Sequence, residues 1–129
     1  MRQSVSVKEK ILLIEDNRDL IEIMRMYLTH HGYNVLLAQN GFEAIETASS
    51  ELPDLVVTDI MLEDIDGVRI ALELRKDAKT RHIPILALTA KTFGDEIMPN
   101  VFNGILRKPA NLHQFEAKIQ KLLKCRMPA

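Results

Sequence analysis

The chain alternates short, wholly apolar runs with longer stretches in which apolar residues recur every three or four positions. Ile11-Leu12-Leu13-Ile14 is cut off by Glu15-Asp16, the pattern of a strand covered on both faces. Over residues 17 to 31, Leu20, Ile23, Met24, Tyr27 and Leu28 fall at helical spacing, with Met26 on the flank. Gly32 stands where a left-handed residue would stop that helix. Val35 to Ala38 reads as a second strand. Asn40 and Glu43 then form a capping-box pattern that opens a helix through "NGFEAIETASSEL". Leu55 to Thr58 is a third strand, 67–76 a third helix and "IPILALT", 83–89, a fourth strand. Its Pro84 lies near the start, where a missing N–H is tolerated. A short fifth strand spans 104–107. Leu112, Phe115, Ile119 and Leu122 line the last helix, which Asn111 and Gln114 can cap.

Strand and helix repeated about five times predict an open parallel sheet with helices on both faces and right-handed crossovers. Ligands of such sheets bind outside the carboxyl ends of the strands. The remaining features narrow the class. A length of 129 residues, 47% of them hydrophobic, suits one domain with a real core. The formal net charge of -1 offers no basic excess for nucleic acid. No apolar run approaches the roughly 20 residues of a membrane helix. The lone Cys125 can form neither an internal disulfide nor a thiolate zinc site, which fits a reducing, cytoplasmic setting. Residues 1–9 are expected to be a disordered polar lead-in, 10–125 the single domain, and "CRMPA" leaves no room for an output domain. His30 and His31 close a helix, where a cation favours the dipole. His82 and His113 are expected at the surface, and Arg75, Lys76, Lys79 and Arg81 on a solvated helix end.

The strand ends carry the chemistry. Strand one ends in Glu15 and Asp16, strand three in Asp59, strand four in Thr89 and Ala90, strand five in Arg107, Lys108 and Pro109. Three carboxylates at one edge repel one another unless a cation sits among them. Oxygen ligands in that number suit Mg²⁺, which keeps several waters. A lysine is a point charge suited to phosphate, and one carboxylate remains as a nucleophile. Such a set is built to stabilise phosphoryl oxygens.

The pieces "LLIEDN", "DLVVTDIML" with "DG", "ALTA" and "LRKP" occur in this order, with Asp59 43 positions after Asp16 and Thr89 30 after Asp59. In them the chain resembles the receiver domain of two-component response regulators, from Lys10 to about Lys124. The resemblance implies a flavodoxin-like, doubly wound sheet of order 2-1-3-4-5. It implies that Asp59 accepts a phosphoryl group from a histidine kinase or a histidine phosphotransfer protein. Asp16 would hold Mg²⁺ directly and Glu15 through water, with Asp59 and the backbone carbonyl of Met61 completing the protein ligands. Thr89, Ala90 and Lys108 would contact the phosphoryl group, and the Lys108-Pro109 bond would be cis. Phosphorylation would switch binding to a downstream protein by a monomer or weak dimer, without nucleic acid or membrane.

Three positions depart from the family pattern. Glu63 stands where most members have proline, in a loop also carrying Asp64 and Asp66, an acidity expected to weaken anion approach or to alter donor choice. Ile105 replaces the usual Tyr or Phe three residues before the lysine, which puts the aromatic readout of the switch in question. The Thr89–Lys108 segment is a few residues shorter than usual and holds Gly94 and Pro99, so the helix between strands four and five should be short or distorted. The alternative is a degenerate receiver that serves as a non-switching interaction module. A phosphohydrolase is disfavoured because Met61 occupies the place of its general acid. A flavin module would need a phosphate loop after strand one. Whether the chain is a stand-alone regulator, a relay shuttle or part of a hybrid kinase stays open.

Overall fold

The computed structural model describes residues 8–62, 64–89, 101–108 and 111–124. Nine elements follow in the order β1 (Lys10–Ile14), α1 (Arg18–His30), β2 (Asn34–Ala38), α2 (Gly41–Glu51), β3 (Leu55–Asp59), α3 (Gly67–Lys76), β4 (Ile85–Thr89), β5 (Gly104–Arg107) and α4 (Leu112–Lys124). All four strand pairings are parallel, as the alternation predicts, and the order is β2-β1-β3-β4-β5, the doubly wound arrangement that the resemblance implies.

Successive strand side chains point to opposite faces, so each all-apolar strand feeds two cores. Ile11, Leu13, Leu55, Val57, Leu86 and Leu88 meet Met24 and Leu28 of α1 and Phe115 and Ile119 of α4. Leu12, Ile14, Val56 and Ile85 meet Ala44 and Ala48 of α2 and Ile70 and Leu74 of α3. β1, β3 and β4 are therefore apolar through their middles, and their buried polar residues, Thr58, Asp59 and Thr89, lie at the carboxyl ends of β3 and β4. A single truncation such as Leu13→Ala would cost about 2–5 kcal/mol.

Local signals set the helix ends. The Asn17 side chain accepts from Leu20 N–H at the start of α1. At its end Gly32 adopts φ +95°, and its N–H and that of Tyr33 donate to the carbonyls of Thr29 and Leu28. The buried stripe of α1 is Ile21, Met24 and Leu28, whereas Ile23, expected inside, is 51% exposed. One position from Met24 is about 100° around a helix, enough to turn Ile23 outward. β4 begins at Ile85, two residues later than expected. Pro84 has no N–H to give, but its carbonyl still accepts from Val56 at 3.0 Å. His31 places Nδ1 2.9 Å from the Tyr27 carbonyl and its ring against that of Tyr27, at the end of α1.

Arg75 does not belong to a solvated helix end as expected, although Lys76, Lys79 and Arg81 are exposed. Its guanidinium donates to the carbonyls of Arg81 (2.8 Å), Ile83 (2.7 Å) and Val101 (2.8 Å) and to Asn103 Oδ1 (2.6 Å). Asn103 Oδ1 also accepts from Ile85 N–H at 2.8 Å. A five-donor fork can gather four separate oxygens, which an ammonium cannot. Arg75 thus ties α3 to the entries of β4 and β5. The helix expected to be short or distorted between these strands falls on residues outside those described, as does Cys125.

Candidate functional site

The parallel register brings the carboxyl ends of the strands into line: Ile14 pairs with Thr58, Asp59 with Leu88 and Thr89 with Arg107. Asp59 is the last residue of β3 rather than the one after it, so a fully hydrogen-bonded strand holds its backbone. Ile60 N–H continues the ladder to the Leu88 carbonyl at 3.0 Å. The loop leaving Asp59 then folds back, with Gly67 N–H donating to the Ile60 carbonyl at 2.9 Å. A Cβ at position 67 would lie 2.6 Å from the Asp59 carbonyl oxygen, so only glycine lets α3 begin this close to the strand end. Asp66 caps the same helix, its Oδ1 accepting from Arg69 N–H at 2.9 Å.

Two acids and one cation converge there. Lys108 Nζ donates to Glu15 Oε1 at 2.9 Å and to Asp59 Oδ2 at 2.8 Å. The lysine is held in place by its backbone, since Lys108 N–H donates to the Thr89 carbonyl at 2.7 Å. Each carboxylate has a second partner: Glu15 Oε2 accepts from Asn17 N–H at 3.0 Å, and Asp59 Oδ1 accepts from Met61 N–H at 3.1 Å. Glu15 and Asp59 are 2% and 7% exposed. Burial pushes the Glu15 carboxyl above its ordinary range, and the Asp59 charge adds to this, against the bonds from Lys108 and Asn17. Burial works to lower the pKa of Lys108, but its bonds to Asp59 and Glu15 prevail and raise it. The lysine is thus a cation at neutral pH, and it balances two close acids.

The other predicted residues sit around this triad. Asp16 is half-buried at the end of β1 and makes no hydrogen bond with another described residue. Thr89 is buried at the end of β4, and Met61 is exposed. Among the described residues, no three acidic, histidine or cysteine side chains already form a metal cage. Ala90 and Pro109, with its expected cis bond, lie outside the described residues. Ile105 is 40% exposed on β5.

The acidic loop has a different character from the one expected. Asp66 caps α3, and Asp64 caps α2 from a distance: its Oδ1 and Oδ2 each lie 2.9 Å from Gly41 N, and Oδ2 also accepts from Phe42 N–H at 3.2 Å. These carboxylates are engaged with helix N–H groups, while Glu63 lies outside the described residues. Sequence reasoning missed Asp64 because its partners are 22 and 23 positions away. It also missed the job of Asn17, whose backbone N–H orients Glu15. The "DG" pair at 66–67 was the one local signal for the close approach at Gly67.

The profile of the response regulator receiver domain matches residues 11–120. Among curated relatives, the response regulator MprA of Mycolicibacterium vanbaalenii is 35% identical over 122 residues, covering 92% of this chain and 52% of its own. The alkaline phosphatase synthesis transcriptional regulatory protein PhoP of Bacillus subtilis is 32% identical, covering 92% and 50%. A histidine kinase of Formosa agariphila is 31% identical over 95% of this chain but 9% of its own length. The chain therefore spans about half, or far less, of these relatives. Among solved structures, the receiver domain of the Pseudomonas aeruginosa sensor histidine kinase PA1611, with magnesium coordinated in its active-site cleft, superposes with TM-score 0.83 at 27% identity over 92% of this chain and 99% of its own. The Vibrio cholerae chemotaxis regulator CheY4 shares the fold, with TM-score 0.85 at 24% identity over 90% and 99%. Among the described residues, no helix is long and apolar enough to cross a membrane. With its parallel five-stranded sheet and two acids joined by one lysine at the strand ends, the chain belongs to the response regulator receiver domain family of two-component systems.

Proposed function

We propose that Asp59 is the phosphoacceptor of this receiver and that its phosphorylation alters the binding of a partner protein. The observation that carries this reading is Lys108, whose ammonium joins Asp59 to Glu15 at the end of β3. In the transfer, one Asp59 oxygen bonds to the phosphorus of a phosphohistidine on a kinase or phosphotransfer protein as the P–N bond breaks. The nitrogen leaves with its electron pair and is protonated, and an aspartyl phosphate remains. Met61 N–H orients the carboxylate for attack, and Lys108 exchanges its bond to Asp59 for one to a phosphoryl oxygen. The Thr89 hydroxyl, one strand over, bonds another. Because Asp59 ends a rigid strand, the nucleophile is aimed before the donor arrives.

The donors fit Mg²⁺: Asp16, Asp59 and the Met61 carbonyl offer hard oxygens, with buried Glu15 behind them. A strongly hydrated ion needs only a few protein ligands, so an assembled cage is not required. When bound, Mg²⁺ neutralises charge that develops on the phosphoryl oxygens. Receiver domains act chiefly as phosphoacceptor switches, so turnover of outside substrates is not expected. The non-switching module remains the second reading, favoured by exposed Ile105, which lacks an aromatic ring.

Intact mass after incubation with a small acyl phosphate and Mg²⁺ tests the first reading. One phosphoryl adduct should form on the wild type and be absent from Asp59→Asn and from chelator-treated protein. A wild type that binds Mg²⁺ yet gains no adduct rules phosphotransfer out and leaves the interaction module.

A further inference from the structure

The first N–H groups of a helix have no partner inside it. In α2 these groups are satisfied by two separate parts of the chain. The Asn40 side chain, the local cap, accepts only from Glu43 N–H at 2.9 Å. Glu43 replies to Gln39 N–H at 2.9 Å, and Gly41 and Phe42 remain for the local cap to leave open. Both of these are taken by Asp64, from the loop that leaves Asp59. A carboxylate at this end of a helix is also favoured by the dipole.

The contact is steric as well as polar. A Cβ at position 41 would lie 2.0 Å from Ile65 Cγ1 and 2.6 Å from Ile65 Cδ1, so the loop packs into space that exists only because residue 41 is glycine. The loop is thus tied twice. Its base is closed by Gly67 N–H to the Ile60 carbonyl, and its tip is clipped to α2 by Asp64. Between these ties lies Met61, whose N–H orients Asp59 Oδ1.

We propose that Asp64 is a positioning residue for the phosphoacceptor: clipped to the start of α2, it holds the Met61 backbone against Asp59. This rests on Asp59 being the phosphoacceptor. The clip acts through backbone placement, with no contact between Asp64 and the reacting atoms. It also explains why an acid stands in a loop that must admit an anion, because α2 absorbs its charge.

The test compares the full chain with Asp64→Ala, Asp64→Asn, Gly41→Ala and the control Asn40→Ala. Asn40→Ala loosens the same helix end without touching the loop. Two measurements are made where every variant is fully folded: amide hydrogen exchange over residues 60–65, and the rate of adduct formation with a small acyl phosphate and Mg²⁺. Asp64→Ala and Gly41→Ala should each form adduct about tenfold more slowly and exchange faster over 60–65, a size typical of small misplacements at reacting centres. Asp64→Asn, which keeps an oxygen acceptor, should recover most of the rate. Asn40→Ala should lower the melting temperature while rate and loop exchange stay at wild-type values. Wild-type rate in Asp64→Ala, or equal slowing in Asn40→Ala, overturns the proposal. A wild type that takes no adduct overturns the phosphoacceptor reading and this proposal with it. Slowing confined to the Asp64 and Gly41 variants supports both.

Discussion

The sheet carries a partly buried cation at each end, and the two are bonded in opposite ways. At the carboxyl end, Lys108 faces two carboxylates, Glu15 and Asp59. At the amino end, Arg75 faces four neutral oxygens, three of them backbone carbonyls. The consequences for charge differ in sign. Burial lowers the pKa of the Arg75 guanidinium, without a described carboxylate to oppose it, whereas the acids raise that of Lys108. A guanidinium stays protonated in either case, so Arg75 is a fixed staple whose planar fork sets the spacing of chain segments. Lys108 is a point charge whose partners, under the proposed phosphotransfer, would be exchanged for a phosphoryl oxygen. On that reading, one end of the sheet is bonded for permanence and the other for replacement.

Substitutions can break or sharpen this contrast. The largest effect is expected from Lys108→Ala. Losing the cation proposed to meet the phosphoryl oxygens should slow adduct formation by about 10²–10³-fold, the usual cost of removing one such electrostatic partner. Mass-resolved time courses with a small acyl phosphate would show it. Wild-type kinetics in this variant would remove Lys108 from the chemistry.

Arg75→Ala comes next, and its effect should fall on stability. It removes the donor that Arg75 gives to the carbonyls of Arg81, Ile83 and Val101, while Asn103 Oδ1 keeps Ile85 N–H, at a cost of about 2–4 kcal/mol in urea unfolding. Adduct formation per folded molecule should not change. Slowed chemistry in a folded Arg75→Ala would dissolve the division between the two ends. Arg75→Lys keeps the charge but not the fork, and should recover less than half of the loss.

The smallest effect is a pH dependence at Glu15. Its folded pKa is raised above the ordinary 4.5, first by burial. The folded chain therefore holds that proton more tightly than the unfolded one. The associated stability is present at low pH and is lost as pH climbs from about 4.5 through the raised value. Glu15→Gln has no such titration, so its stability relative to wild type should improve over that window and level off above it. Urea melts at several pH values would reveal this. An opposite slope would mean that Lys108 outweighs burial at Glu15. The same variant should bind Mg²⁺ more weakly, because Glu15 stands behind the donors expected to hold the ion.

Much of this molecule can be read from its residues in order. Runs such as Leu55-Val56-Val57 are legible because a strand covered on both faces has no polar position to interrupt it. The caps at Asn40 and Asn111 are legible because each accepts from an N–H three residues on. Glu15, Asp59 and Lys108 could be named in advance because strand ends in a parallel sheet share one edge. The errors have a common origin. Ile23 was misplaced because helical spacing does not say which of several overlapping stripes meets the sheet. Arg75 and Asp64 were misread because a charge run looks solvated until its partners are known, and those partners lie as far as 28 positions away.

The order of apolar and polar residues by itself determined the strands, the helices, the parallel sheet and the edge where acids and lysine meet. Each of these follows from local propensity and from a topology rule with few alternatives. Only the tertiary structure decided which acids are bridged by Lys108, which acid is spent on the N–H groups of a neighbouring helix, and which cation is a staple. A carboxylate or guanidinium is chemically the same along the chain whatever it later does. Its role depends on the oxygens and N–H groups that folding brings within about 3 Å, and that distance is set by packing rather than by position in sequence.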